Sequence, residues 1–384
     1  MAERADLVIL GGGLAGLSLA ERLARRGAGG RVVVVEPRER YVDDRSWAFW
    51  TPPHSRLAES ATARWTQWRF GVRGGAHVIA AAPGWCYALV RSAAFYDAAL
   101  DAIEGSPNVT LLRGARAGSI DRGDEGLRVQ TSAGTFLARH VVDTRPPAAA
   151  RVAASTLQQS FLGREIALDA ATDGAVAEVM GDMRCDAKGF AFAYVLPLSP
   201  RRVLVEITRF ARGAHGPASL AGDLEALLAA RGWASARVCR EEHAVLPMGL
   251  PEDTGAAHVA GVVRAGTAAG ALRAASGYGF LRIQRWAERC TDAIAAGRAP
   301  LGHPPEPALR RWMDGVFLRA LAAEPERAPE FFLKLAARVP GAALVRFLSD
   351  EARPADLLRV IAALPPAPFL RALPTRAAAC SVAP

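Results

Sequence analysis

Lysine is almost missing from this 384-residue chain: Lys188 and Lys334 are the only two, so a net charge of +9 rests on arginine. A surface of that kind reads first as an ordinary solvated one. It reads second as one drawn to anionic lipid headgroups, where each basic residue near the bilayer contributes about 1 kcal/mol. No basic run is interleaved with stacking aromatics, which argues against a nucleic-acid partner. Cysteine is sparse too. Cys86, Cys185, Cys239, Cys290 and Cys380 form no CxxC pair, which excludes a disulfide framework and predicts reduced thiols in a cytosolic protein. The seven histidines show no HxxxH spacing, so no metal site is expected. Long charge-free runs are missing as well. Even the apolar stretch 259–272 is cut by Arg264, so no spanning helix is expected, and Asp6 follows Met1 too soon for a secretory leader.

What is present is ordinary globular substance, 51% apolar and 22% charged, in a length that suits two lobes or one large α/β unit. Residues 6–10 (DLVIL) read as a buried parallel strand that runs straight into Gly11, Gly12, Gly13, Leu14, Ala15 and Gly16. This is a GxGxxG turn, and a helix over 14–26 follows. The first glycine serves the tight turn, the second lets backbone approach a pyrophosphate, and the third lets helix and strand touch. A second strand over 31–36 ends in Glu36, 20 residues after Gly16, where a carboxylate meets a ribose. Together they predict a bound dinucleotide.

The continuation predicts FAD over NAD. Regular βαβ units do not follow Glu36; an aromatic stretch does, with RSWAFW at 45–50 and then Trp65, Trp68 and Trp85. Strands over 109–113, 127–131 and 140–142 lead to Asp143 at a strand's carboxyl end, where open α/β sheets bind ligands. A second glycine-rich strand-to-helix junction comes much later, AGTAAGALRAASGYG at 265–279, offering Gly266, Thr267, Gly270 and Gly277 to the same cofactor. The expected FAD lobe is therefore discontinuous, 1–155 and 250–300. Between its halves, 156–249 reads as a β-rich substrate lobe, with strands over 157–168, 175–180, 190–196 and 203–210 and one helix over 220–230. Residues 301–384 are helical and rich in Phe, Leu, Ala and Arg. They form either an all-α cap on the core or a surface dipping into the bilayer interface, with Phe331 and Phe332 as its contacts.

The order of these motifs resembles the bacterial lycopene β-cyclases, flavoproteins related in fold to the aromatic hydroxylases. The likeness is carried by RSWAFW at 45–50, QSFLGREI at 159–166, FAYVLPLSPRRVLVEIT at 192–208, EEHAVLPMGLP at 241–251 and GTAAGALRAASGYGF at 266–280. It implies an α/β fold with a Rossmann-like FAD lobe, a β-sheet substrate lobe and a C-terminal helical region. It also implies redox-neutral closure of the ends of lycopene or a related acyclic carotenoid. FAD would act in its reduced form, with NAD(P)H as reductant, in a protein peripheral on the inner face of the cytoplasmic membrane. Glu206, in the apolar strand VLVEIT, is the expected proton donor; by alternation alone it also fits an exposed strand face. Many relatives place a second acid directly after this glutamate, whereas this chain has Ile207, which leaves Glu241, Glu242 or the flavin as the other acid–base group. Trp47, Trp50, Tyr194 and Tyr278 are candidates to stabilise a cation or to pack the core. Arg45 is placed to meet the flavin or its phosphates, or to be a surface arginine; Asp143 would cap the pyrophosphate side, although Thr144 stands where the family has glycine. A hydroxylase of this fold would carry Gly-Asp where this chain has Gly266-Thr267. A prenyl or carotenoid reductase, which spends a hydride each turnover, is the closer alternative.

Overall fold

The computed structural model describes residues 2–252 and 259–374. Two seven-stranded sheets and a small third one are joined by helices. The first sheet is built on β1 (Glu3–Leu10) and β2 (Val32–Glu36), whose unbroken apolar runs suit strands buried on both faces. A small antiparallel sheet follows, with β3 (Ser46–Thr51) and β4 (Ala63–Trp65) flanking β7 (Cys86–Arg91). The first sheet is completed by β8 (Val109–Arg113), β9 (Ala117–Gly123), β10 (Gly126–Thr131), β11 (Gly134–Asp143) and β17 (Val262–Arg264). Its order is β8-β2-β1-β11-β10-β9, and β17 pairs with β11. Helices α1 (Leu14–Arg26), α3 (Ser92–Glu104) and α6 (Phe280–Ala295) cover one face through Leu17, Leu23, Ile103, Ile283 and Trp286. Short helices α2 (Arg56–Glu59) and α4 (Ala149–Ala153) sit in the connections.

The second sheet runs β16 (Arg237–Met248), β12 (Leu157–Ala167), β15 (Arg202–Ala211), β14 (Gly189–Ser199), β13 (Val176–Asp186), β5 (Gln67–Val72), β6 (His77–Ala81). Two of its members lie outside the contiguous 156–249 stretch: the hairpin β5–β6 crosses from the first half of the chain to pair in parallel with β13. Trp68 and Phe70, both buried on the core face, tie it there. The edge strand β16 has a charged first half, with Arg237, Arg240, Glu241 and Glu242, which hides it from any apolar pattern. Strand alternation sorts β15 cleanly. Val203, Val205 and Ile207 pack under α5 (Pro217–Ala230), while Leu204, Glu206, Thr208 and Phe210 face the other way.

The C-terminal helices are α7 (Ala308–Ala323), α8 (Ala328–Arg338), α9 (Gly341–Leu348), α10 (Pro354–Ala363) and α11 (Pro366–Arg371). Helix α8 packs on β5, β6 and β13, as a cap does. Phe331, one of the two expected bilayer contacts, is 0% exposed in the core, and Phe332, partly buried, stacks on Phe190 at 5.3 Å and lines a cavity against the second sheet. They point inward because their helix has a sheet to cover. Cys86, Cys185, Cys239 and Cys290 are free thiols, and Cys380 lies outside the described residues. Among the described residues no helix is long and apolar enough to cross a membrane.

Candidate active site

The glycine turn divides its labour as three separate demands. Gly11 leaves β1 at φ +95°, a conformation open to glycine and strained for a side chain. A Cβ at Gly16 would overlap the Gly11 carbonyl oxygen, so helix and strand touch only because none is there. At Gly13 a Cβ would meet no atom within 4 Å; the space before the N-terminus of α1 is open, which fits a pyrophosphate cradled by backbone amides. Leu14 packs partly buried behind this turn, and Ala15 is buried beneath it.

Glu36 is buried beside that cradle. Its Oε2 accepts the Gly12 amide at 2.6 Å, while Oε1 accepts the backbone amide and Nε of Arg38 at 2.8 Å each. Arg38 Nη2 and the Tyr41 hydroxyl both donate to the Gly12 carbonyl at 2.9 Å. Thr144 Oγ1 lies 2.9 Å from the carbonyl oxygens of both Leu10 and Gly11, bracing the turn with the very residue that departs from the family pattern. Arg38, Tyr41 and Thr144 carry no sequence signal for this role. Asp143 is committed to Arg145, whose Nε and Nη2 donate at 2.9 and 2.8 Å.

The late segment divides in two. Gly266, at φ +74°, brings its Cα face against Ala15, so this end joins the cradle, and Thr267 opens the single 3₁₀ turn Thr267–Ala269 that Gly270 ends at φ +79°. Gly277 does something else: a Cβ there would collide with Gln159 Oε1 of β12, so its glycine serves the contact with the second sheet. Arg45 pairs with Asp44 at 2.8 Å and lines a cavity beside that sheet.

That cavity, about 180 Å³, holds the acid chemistry. Glu206 is 8% exposed, and the Thr208 hydroxyl donates to its Oε1 at 2.8 Å. Gly163 of β12 is its register partner on one side, and Gly163 is also the partner of Glu242 on β16. A Cβ on Gly163 would sit 3.2 Å from Glu242 Cγ and 3.3 Å from Glu206 Oε2, so the missing side chain lets two carboxyls flank one gap. Glu242 Oε2 accepts from Arg240 Nη1 at 2.6 Å and from the Ser46 hydroxyl at 3.1 Å. Burial, and then the charge of Glu242, pushes the Glu206 carboxyl up to about 8. Burial raises Glu242 as well, while Arg240 and Ser46 hold it back. Glu241 points to the other face, where Arg164 Nε reaches it at 2.8 Å. An acid at position 207 would face α5, so Ile207 costs this cavity nothing.

A second cavity, about 360 Å³ and overwhelmingly apolar, lies between the second sheet and the C-terminal helices. Trp50, Tyr194 and Tyr278 line both cavities and form the wall between them. Tyr278 hydrogen-bonds Tyr194 and Tyr87, and burial pushes its hydroxyl to about 12, which keeps it neutral. Trp50 meets Tyr278 edge-on at 5.5 Å. Trp47 packs against Phe95 and Phe280. Trp312, Ile361, Leu370 and Leu373 line the apolar cavity and are also exposed, which marks its mouth. Among the described residues no group of side chains is arranged to hold a metal.

A family model described as "Lycopene cyclase protein" matches residues 6–374. The chain is 28% identical to a lycopene beta-cyclase of Paracoccus sp. (strain N81106 / MBIC 01143), with 97% of each chain covered. It is 26% identical to a lycopene beta-cyclase of Pseudescherichia vulneris, with 95% of each covered. Among solved structures it resembles a geranylgeranyl bacteriochlorophyll reductase-like protein from Thermoplasma acidophilum at TM-score 0.60, with 12% identity, 97% of this chain and 99% of that one covered. A probable FAD-dependent monooxygenase from Pseudomonas aeruginosa aligns at TM-score 0.54 and 16% identity, over 94% of this chain and 99% of that one. These likenesses establish the fold, that of the monooxygenase and reductase flavoproteins.

Proposed function

The chain belongs to the lycopene cyclase family, and on that premise we propose that it closes the acyclic end of lycopene, or of a related carotenoid, into a β-ring. The observation that carries this reading is Glu206: a buried carboxyl pushed up to about 8, lining a small cavity that shares Trp50, Tyr194 and Tyr278 with an apolar one. The hydrocarbon would lie in the apolar cavity and pass the shared residues Trp50, Tyr194 and Tyr278 to bring its end to Glu206. Glu206 gives its proton to the terminal double bond, the neighbouring double bond attacks the resulting cation, and a different proton leaves. Trp50, Tyr194 and Tyr278 line the small cavity, and their π systems would stabilise the cation.

FAD would be held by Gly11, Gly13, Leu14, Ala15 and Gly16 at its pyrophosphate and by Glu36 at its ribose, with Gly266, Thr267 and Gly270 closing the far side. In its reduced, anionic form the flavin would supply negative charge to offset the cation, and NAD(P)H would serve only to keep it reduced. Anaerobic incubation with lycopene and pre-reduced FAD should yield a cyclised isomer with no NAD(P)H consumed per turnover. One NAD(P)H oxidised per product would favour the reductase alternative, which the shared fold and the greasy cavity also suit.

We further propose peripheral attachment to the inner face of the cytoplasmic membrane through the cavity mouth. Trp312, Ile361 and Leu370 are exposed there, and Arg311, Arg359 and Arg371 stand on the same helices. Replacing all three apolar residues by serine should weaken sedimentation with anionic vesicles while leaving the melting temperature near that of the parent. Unchanged sedimentation would count against this mouth.

A further inference from the structure

The cyclisation proposed above needs a base as well as an acid, because the proton added and the proton lost belong to different carbons. We propose that Glu242, facing Glu206 across the side-chain-free position of Gly163, is the proton acceptor, and that the two carboxyls share one proton which returns across that gap after each turnover. This inference rests on the cyclase reading.

Three observations carry it. Gly163 is the register partner of both acids, so all three positions lie on one face, and a Cβ between them would crowd the Glu206 carboxyl and the Glu242 methylene next to its own. Both side chains line the same cavity of about 180 Å³. Their surroundings are unequal. Among the described residues Glu206 accepts one side-chain hydrogen bond, from the Thr208 hydroxyl, whereas Glu242 has the Arg240 guanidinium at 2.6 Å and Ser46 at 3.1 Å. Among the described residues Glu242 Oε1 accepts no hydrogen bond and is left to receive a proton.

The charges around the pair fix which partner starts protonated. Arg240 Nε also lies 3.4 Å from Asp43 and 3.6 Å from Glu165, and Arg91 pairs with both of those acids. Arg45, His243 and the paired Arg282 and Asp350, 2.7 Å apart, also line this cavity, and Tyr87, Tyr194 and Tyr278 stay neutral in it. Among the described residues the cation hydrogen-bonded to the dyad is Arg240, on Glu242, so the single proton rests on Glu206.

The steps balance. Glu206 O–H breaks and a C–H bond forms at the terminal alkene; the next π bond closes the ring; a C–H bond beside the cation breaks, its electrons forming the ring double bond and its proton passing to Glu242. Transfer from Glu242 to Glu206 restores the start. No reductant is consumed.

The test compares the parent with Glu242→Gln, Glu242→Asp and Gly163→Ala, reading flavin content, rate against pH, and product identity. Glu242→Gln should cost at least about 10²-fold in rate. It should divert product from the β-ring to other double-bond isomers or a water-trapped alcohol, and move the loss of activity at high pH to lower pH. Glu242→Asp should recover part of the rate and the β-ring. If Glu242→Gln does not fold, Gly163→Ala must show the diverted product in its place. A Gln variant that makes only the β-ring with the parent's pH profile, however slowly, overturns the inference and makes Glu242 structural. No cyclisation by the parent itself would instead overturn the cyclase reading, and the inference with it.

Discussion

The cradle around Gly13 and the acid row Glu206–Gly163–Glu242 are both built around a glycine, for opposite reasons. At Gly13 the missing side chain leaves space for a ligand; at Gly163 it leaves space for two of the protein's own carboxyls. The heart of the cradle, Gly11 to Gly16, is a run of neighbours in the chain that presents backbone amides, braced by Thr144 and Gly266 from further along. The row takes one residue from each of three strands and acts through side chains. A site of the first kind is fixed by local conformation, whereas the second exists only once the sheet's register is set.

The sharpest way to separate the two regions is to break each alone. Glu206→Gln keeps shape and polarity but removes the transferable proton, so cyclisation should fall by at least the roughly 10²- to 10⁴-fold typical of a lost general acid, with flavin content unchanged. Gly13→Leu should do the reverse, abolishing flavin binding while the fold persists, because its side chain enters open space. Activity and flavin absorbance, read on both variants, check this. Loss of flavin in the Gln variant would merge two regions held here to be independent.

A smaller effect follows from pH. The Glu206 carboxyl ordinarily titrates near 4.5 and is pushed up to about 8 in the fold, so the folded chain holds a proton that the unfolded chain has released. Stability should therefore fall as pH rises through that window, by about 1.4 kcal/mol for each unit between the two values, shared with Glu242. Activity should decline as pH passes about 8. In Glu206→Gln the fall in melting temperature between pH 5 and pH 9 should be shallower than in the parent, whereas changes confined to the cradle should leave that slope as it was.

The smallest effect belongs to the brace behind the cradle. Thr144→Val removes a hydroxyl lying 2.9 Å from two turn carbonyls and should cost about 0.5–1.5 kcal/mol, seen as weaker flavin retention with the pH profile unmoved.

Legibility follows the same division. The strand–turn–helix at 6–26 and the acid at Glu36 could be read because each asks for a residue type at a short fixed spacing. The four strands between 157 and 210 could be read from their apolar patterns, and the helices after Pro304 from theirs. The edge strand Arg237–Met248 could not, because its charges serve Glu165, Asp43 and the acid row instead of a solvent-facing alternation. Phe331 and Phe332 were legible as helical aromatics and illegible in direction, since an amphipathic stripe looks alike whether it covers a sheet or meets a bilayer.

By itself, then, the sequence determined a strand–glycine turn–helix, a β-rich second layer and a helical end, all of which rest on periodicity or on spacings of a few residues, while alternation alone left Glu206 open between a cavity and an exposed strand face. Only the tertiary structure decided that Ile207 faces α5 and that Glu242, not Glu241, joins Glu206. It also decided that the apolar cavity opens at Trp312, Ile361 and Leu370. Which side chains meet across strands depends on register and strand order, and these follow from the packing of the whole sheet, not from the residues beside each acid in the chain.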